Sequence, residues 1–224
     1  MQNYSTRARE LVLASVLAAY PDEDAVVTLR ELGGTLGQHA ASIAAGQVAT
    51  DAGADDLRSR FIDLFDRGGQ RASLYETEYG RMRGMSKGND LADISGFYAA
   101  FGLNLDPSAH ETPDHVAVEL EFYAMLLLKQ EYLDVHADAE GADIVLDARR
   151  KFLRDHLGSF APAIAARPDV AADPIYGPVF RWVGDLVTRE CAAVGVEPTP
   201  LDYFSDAEGR EEMKCGSVRL PVVS

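Results

Sequence analysis

The longest helical signal in the chain is ETPDHVAVELEFYAMLLLKQEYLDVH, at residues 111–136, and it determines which class of fold the chain can form. Apolar residues recur along it at helical spacing, at Val116, Leu120, Tyr123 and Leu127. We expect Thr112 to be the N-cap and Pro113 the first helical residue. Asp114 then falls in the first turn, where a negative charge suits the helix dipole. The pattern predicts one long helix that ends near His136.

The segments on either side of this helix also have helical periodicity. Seven further helices are predicted, at about residues 5–19, 21–45, 54–66, 85–101, 143–156, 160–166 and 173–194. Glycines at 33, 34 and 37 weaken the second of them, residues 49–53 and 67–73 are predicted loops, and Gly158 is expected to end the helix 143–156. We predict an all-α, single-domain bundle of about eight or nine helices over residues 1–195, followed by an extended or partly disordered tail at 196–224.

Composition and charge limit the classes of partner. The 224 residues are 47% hydrophobic and 25% charged, as in an ordinary globular domain, and the formal net charge is −15. An acidic surface repels phosphate and anionic lipid, which argues against nucleic acid or membrane and favours a basic partner. The apolar stretch at 11–20 after Arg7 and Arg9 resembles a short signal-peptide core, but a first amphipathic helix is favoured. No stretch is long and apolar enough to predict a membrane span.

The negative charge is concentrated beside the longest helix. Residues 111–147 hold ten acidic residues and a single base, Lys129, and so carry −9 of the total charge. One interpretation is a solvated helix face. The other is an acidic edge beside an apolar groove, which would suit a hydrophobic peptide flanked by arginines. The pair Tyr75 and Tyr79 could line such a groove or anchor a loop, and both interpretations stay open.

Motifs for catalysis are absent from the sequence. It lacks phosphate-binding glycine loops, G-x-S-x-G, H-E-x-x-H and C-x-x-C, and no histidine follows a carboxylate by three positions as in di-iron bundles. Asp114 and His115, with Glu119 one turn later, could titrate or hold a ligand. A capping acid and a histidine that hydrogen-bonds Glu119 or a backbone carbonyl are the favoured interpretation. A helical hydrolase or cofactor enzyme that uses Asp114, His115 and Glu119 is therefore the alternative hypothesis.

A series of short motifs, in order, carries a resemblance to a known family. The motifs are FIDLF at 61–65, LYETEY at 74–79, GFYAAFG at 96–102, ETPDH at 111–115, FLRDHL at 152–157 and PIYGPVFRW at 174–182. Over about residues 11–190 the chain resembles the TorD/DmsD/NarJ family of molybdoenzyme-specific chaperones. The segment 81–87 and the tail are most similar to the branch that serves ethylbenzene, dimethylsulfide, selenate or chlorate enzymes.

This resemblance implies a cytoplasmic assembly chaperone with a TorD-like fold, and neither an enzyme nor a binder of cofactor or metal. Such a protein binds the N-terminal or twin-arginine signal region of a molybdopterin-containing catalytic subunit of the DMSO reductase family. It holds this subunit for cofactor insertion and prevents premature export, as a monomer or a dimer. The peptide-binding residues that the resemblance implies are Leu64, Phe65, Tyr75, Glu76, Pro113, Asp114, His115, Glu119 and Phe122.

Overall fold

The computed structural model describes residues 3–32, 39–66, 72–80, 87–105, 111–198 and 201, and the regular elements in these ranges are all helical. They are α1 (Tyr4–Ala18), α2 (Glu23–Leu32), α3 (His39–Gln47), α4 (Asp51–Phe61), α5 (Lys87–Ala100), α6 (Val116–Val135), α7 (Ala139–Asp155), α8 (Leu157–Ala165), α9 (Pro168–Ala172) and α10 (Tyr176–Val194). A π-helical turn, Ile62–Asp66, continues α4, and a 3₁₀ turn spans Glu76–Glu78. The all-α prediction is confirmed.

Helix α6 is the centre of the bundle. Its apolar residues Leu120, Tyr123 and Leu127 are completely buried, as their helical spacing predicts. Helix α1 runs antiparallel along α6, because Ser5 donates a hydrogen bond to Glu131 while Ser15 donates one to Glu121 at 2.9 Å. Helices α7 and α8 also pack on α6, while α10 packs on α1, α7 and α8. Together they bury the aromatic rings of Phe152, Phe160 and Phe180.

The start of α6 differs from the prediction. The N-cap is His115 and the helix begins at Val116, three residues later than expected. Residues preceding the helix pair with an earlier segment instead, through an antiparallel bridge between Tyr75 and His115. The Glu76 amide donates to the Asp114 carbonyl at 2.9 Å, and the Val116 amide donates to the Leu74 carbonyl at 2.9 Å. These long-range bonds hold residues 112–115 in a non-helical conformation, so Thr112 cannot be the cap.

Other predictions also fail: α9 was not predicted, α10 begins at Tyr176 rather than at 173, and three further boundaries differ for a clear local reason. The expected loop at 49–53 contains the start of α4, because the Thr50 hydroxyl caps the helix by accepting from the Gly53 amide at 3.1 Å. The start of α7 lies four residues before the predicted one, where Asp138 accepts from the Gly141 amide at 2.9 Å. Gly158 belongs to α8 rather than ending α7. A Cβ at this position would lie 2.1 Å from the Leu153 carbonyl oxygen, so this tight junction requires glycine.

Helix α10 ends as predicted at Val194, where Gly195 adopts the left-handed conformation with φ of 71° that commonly ends helices. None of the described helices is both long and apolar enough to cross a membrane. Several predictions concern residues outside the described ranges: the glycine-weakened break at 33–38, the loop at 67–71, the segment 81–86, and the tail at 199–200 and 202–224. The division between residues 1–195 and 196–224 therefore stays a prediction.

Candidate functional site

A groove opens between the ends of α1 and α5, the start of α2 and the N-terminal half of α6. Its volume is about 670 Å³, within the range of pockets that bind ligands. Most of its lining is apolar: Val16, Ala19, Tyr20, Ala25, Tyr98, Leu103, Leu105, Ala117, Val118, Phe122 and Met125. Tyr20 and Leu103 are 40% and 38% exposed, respectively, so part of this apolar lining faces solvent. A partner that entered the groove would cover this apolar surface.

Four carboxylates also line the groove, and we call the whole feature the acidic groove. They are Asp22, Asp24, Glu111 and Glu121, and no lysine or arginine of the described chain joins them. Hydrogen bonds position three of them: Asp22 accepts from the Ala25 amide at 2.8 Å, Glu111 from the Tyr75 hydroxyl at 2.6 Å, and Glu121 from Ser15. The acidic groove therefore combines an apolar floor with a negative edge, which suits a peptide that carries both cations and apolar side chains.

One wall of the acidic groove contains Glu111, and residues 72–80 support this wall. We call these residues segment 72–80. The segment is joined to the start of α6 by the bridge between Tyr75 and His115. The buried carboxylate of Asp114 accepts from the Thr77 hydroxyl at 2.6 Å and from the Thr77 amide at 3.3 Å. The Thr112 hydroxyl also donates to this carboxylate. Asp114 thus holds two separate parts of the backbone together beneath the groove.

His115 is an internal helix cap. Its Nδ1 accepts from the Ala117 amide at 3.2 Å, and its ring lies 5.1 Å from the ring of Tyr75. Burial lowers the pKa of His115 more than the charges of Glu111 and Asp114 raise it. The imidazole is therefore held in the neutral form, with one nitrogen already used to cap α6.

Glu119 is a buried acid in the first turn of α6, one turn after His115. It has no solvent exposure, and neither carboxyl oxygen finds a well-formed hydrogen bond among the described residues. Burial raises the pKa of Glu119 well above its ordinary value, and the neighbouring charges of Glu76 and Asp114 raise it further. A carboxyl group in such surroundings takes up a proton rather than carry a charge.

Glu76 connects this acidic cluster to His156 at the junction of α7 and α8. The His156 ring lies between two carboxylates, with Nδ1 at 3.2 Å from Glu76 and Nε2 at 3.1 Å from Asp93. Burial alone would lower the pKa of His156, but hydrogen bonds and charges from both acids outweigh it and raise the pKa. The pKa of Glu76 is also raised, because its burial exceeds the opposing effect of His156. The contacts tie segment 72–80 to the core from a second side.

The nine peptide-binding residues inferred from the resemblance occupy three places in the structure. Phe122 alone among them lines the acidic groove. Six form the layer next to it or beneath it: Tyr75, Glu76, Pro113, Asp114, His115 and Glu119. Leu64 and Phe65 are not brought to the groove, since Phe65 packs its ring 5.3 Å from Phe180 and 5.6 Å from Tyr176 on α10. The peptide-binding role of all nine stays a prediction.

Several groove residues were not predicted from the sequence. Tyr20 and Asp24 lie at the end of α1 and the start of α2, while Leu103 and Leu105 follow α5. Val118 and Met125 belong to α6 but fall outside its buried stripe. The sequence of α6 carried a signal for two of them, because its apolar residues occupy more of the helix surface than one buried face requires.

An enzymatic site finds no support in these contacts. Among the described residues, no group of three or more His, Cys, Asp or Glu side chains could hold a metal ion. The side chains of Asp114 and His115 both accept hydrogen bonds from backbone amides. The fold and the groove together define an all-α bundle with an apolar groove edged by carboxylates.

Comparison with known proteins identifies the family. Residues 27–166, more than half of the chain, match the family model described as "Nitrate reductase delta subunit". The chain belongs to this family, which is of the TorD/NarJ type, as the motifs predicted. Because the members that it matches are assembly chaperones rather than catalysts, the chain is not an enzyme.

Individual relatives have moderate sequence identity to this chain. The chain is 29% identical over 200 residues to the chlorate reductase assembly chaperone protein of Ideonella dechloratans, covering 88% of this chain and 94% of that protein. It is 31% identical over 149 residues to the selenate reductase assembly chaperone protein of Thauera selenatis, covering 66% and 75%, respectively. A redox enzyme maturation protein from Archaeoglobus fulgidus has a similar fold, with a TM-score of 0.52 and 22% identity over 81% of this chain and 93% of that one.

Proposed function

We propose that this protein is an assembly chaperone for the catalytic subunit of a molybdenum-containing reductase, and that it binds the N-terminal or twin-arginine signal region of that subunit. Relatives named as chaperones of chlorate, selenate and perchlorate reductases support the class of client. The chaperone acts in the cytoplasm, where it holds the subunit until its cofactor is inserted and delays its export.

The acidic groove is the observation that carries this proposal. A twin-arginine signal offers two cations next to an apolar run, and the groove offers four carboxylates next to an apolar floor. Opposite charges speed the encounter and select the partner. Apolar burial then contributes about 25 cal/mol for each Å² removed from water, before the cost of ordering the peptide.

The predicted site residues act at two levels in this proposal. Phe122 forms part of the floor and contacts the apolar part of the peptide. Asp114 and His115 are positioning residues, since they are buried and accept hydrogen bonds from backbone amides of segment 72–80 and α6, respectively. Glu119 is buried beside them and does not reach the peptide directly. Tyr75 extends this role to the groove edge, because its hydroxyl orients Glu111.

Capture of the client from its native host tests the proposed function. A tagged full-length chain should co-purify with a molybdenum-enzyme catalytic subunit, and a synthetic peptide of the N-terminal region of that subunit should bind in a calorimetric titration. Replacing the two arginines of the peptide by glutamines should weaken binding, because the cations no longer face the carboxylates. Failure to capture any such subunit, or equal affinity for both peptides, would contradict the proposal.

A further inference from the structure

The sequence contains a second segment with the chemistry that the acidic groove selects. Residues 213–224, MKCGSVRLPVVS, carry Lys214 and Arg219 and no acidic residue. Their apolar side chains are Val218, Leu220, Val222 and Val223, next to Arg219. The preceding residues 202–212, DYFSDAEGREE, hold five acids and one base, so the sign of the charge changes abruptly at Met213. Residues 202–224 lie outside the described ranges.

The described chain brings this segment within reach of the groove. Leu201 lies beside segment 72–80, since a Cβ added at Gly80 would be 3.7 Å from the Leu201 side chain. Tyr75, five residues earlier in the same segment, donates its hydroxyl hydrogen bond to Glu111 of the groove edge. The backbone from Gly80 back to Tyr75 spans at most about 18 Å, so Leu201 lies at a comparable distance from the groove edge. The eleven residues 202–212 that follow Leu201 can extend over about 36 Å. The connection is therefore long enough for residues 213–224 to enter the groove of the same molecule.

We propose that residues 213–224 of this chain occupy the acidic groove and compete with the client peptide. Lys214 and Arg219 face the four carboxylates, and the valines and Leu220 cover the apolar floor. Because the segment is tethered to the molecule, a weak intrinsic affinity is enough for substantial occupancy. A second copy of the chain is the poorer occupant, since each copy carries a net charge of −15 and the groove presents carboxylates.

Disulfide trapping tests the occupancy without any client. Cys215 lies within the segment, and the other cysteine, Cys191, is buried. In the full-length Val118→Cys variant, mild oxidation should produce an intramolecular disulfide between the groove and Cys215, and adding Cys215→Ser should abolish it. Asp185→Cys, on the exposed face of α10 outside the groove lining, is the matched control. Equal rates in the two variants, or a disulfide-linked dimer in place of the intramolecular product, would overturn the proposal.

Competition tests the consequence of this occupancy, which rests on the proposed function. The double variant Lys214→Glu/Arg219→Glu should bind the N-terminal client peptide roughly three- to tenfold more tightly, because the tethered competitor is weakened. Unchanged affinity would contradict the competition. A client peptide that fails to bind both the wild type and this variant would instead contradict the proposed function, while the trapping experiment would still decide whether residues 213–224 occupy the groove.

Discussion

The hydroxyl of Thr77 donates a hydrogen bond of 2.6 Å to the carboxylate of Asp114, and both side chains are buried. This contact joins segment 72–80 to the residues that precede α6, which are 37 positions later in the chain. The same segment orients Glu111 at the edge of the acidic groove through Tyr75. The geometry of that edge therefore depends on a buried polar contact.

Removing this contact should destabilise the protein. Thr77→Val keeps the shape of the side chain but leaves the buried Asp114 carboxylate with one donor fewer, so we expect a loss of about 1–3 kcal/mol in the free energy of unfolding. Urea unfolding followed by circular dichroism measures it. Thr188→Val is the control, because the exposed Thr188 hydroxyl donates only to Gly184 of its own helix. A loss at Thr77 no larger than that at Thr188 would show that the contact contributes little.

Glu119→Gln should stabilise the protein increasingly as the pH rises. The pKa of Glu119 is well above the ordinary value of 4.5, so above pH 4.5 the unfolded chain releases a proton that the folded chain retains. The unfolding free energy of the wild type therefore falls with rising pH, and glutamine removes this dependence. Unfolding in urea at pH 5 and pH 8 should show the larger gain at about pH 8. We choose Glu121→Gln, an exposed acid on the same helix, for comparison. A gain that is independent of pH would exclude this account of Glu119.

His156 should contribute stability with a defined pH dependence. The pKa of His156 is raised above 6.5 by its contacts with Glu76 and Asp93. The stability that the charged imidazole contributes is therefore fully present below pH 6.5, and it is lost as the pH rises through the raised pKa. His156→Asn should cost about 1–3 kcal/mol near pH 6 and less near pH 9. The matched variant His136→Asn changes an exposed histidine at the end of α6. A cost at His156 that increased with pH would reverse the predicted sign.

If the acidic groove is the peptide site, Phe65 should affect stability and leave peptide affinity unchanged. Its ring packs against Tyr176 and Phe180 and does not line the acidic groove. Phe65→Leu loses part of this packing, and we expect a cost of about 1 kcal/mol in unfolding free energy. Titration with the client peptide should give the wild-type dissociation constant. A severalfold weaker affinity in the folded variant would place Phe65 in the peptide site.

The core of the bundle was predictable because helical periodicity is a local property. Leu120, Tyr123 and Leu127 of α6 all reach the interior that their spacing indicates. The start of α6 was not predictable in the same way. Thr112 followed by Pro113 is a good local start signal for a helix. The long-range bridge between Tyr75 and His115 keeps these residues non-helical, so the helix begins only at Val116.

The acidic groove was only partly predictable, for a related reason. Its negative edge was foreseen in Glu111 and Glu121, which belong to the acidic run around α6. Its other walls come from Tyr20, Asp24 and Leu103, whose proximity to α6 is a consequence of packing between distant segments. Nothing in the local sequence around these three residues indicates that they face one another.

The measurement that tests the central claim most directly is a titration of the client N-terminal peptide into charge variants of the groove. Asp24→Asn/Glu121→Gln removes two groove carboxylates, and Asp143→Asn/Asp185→Asn removes two exposed carboxylates outside it, so the two proteins have the same net charge. We predict roughly three- to tenfold weaker binding for the groove variant and wild-type affinity for the control. The difference should shrink as salt approaches about 0.5 M. Equal affinities of the two variants at low salt would contradict the assignment of the acidic groove as the peptide site.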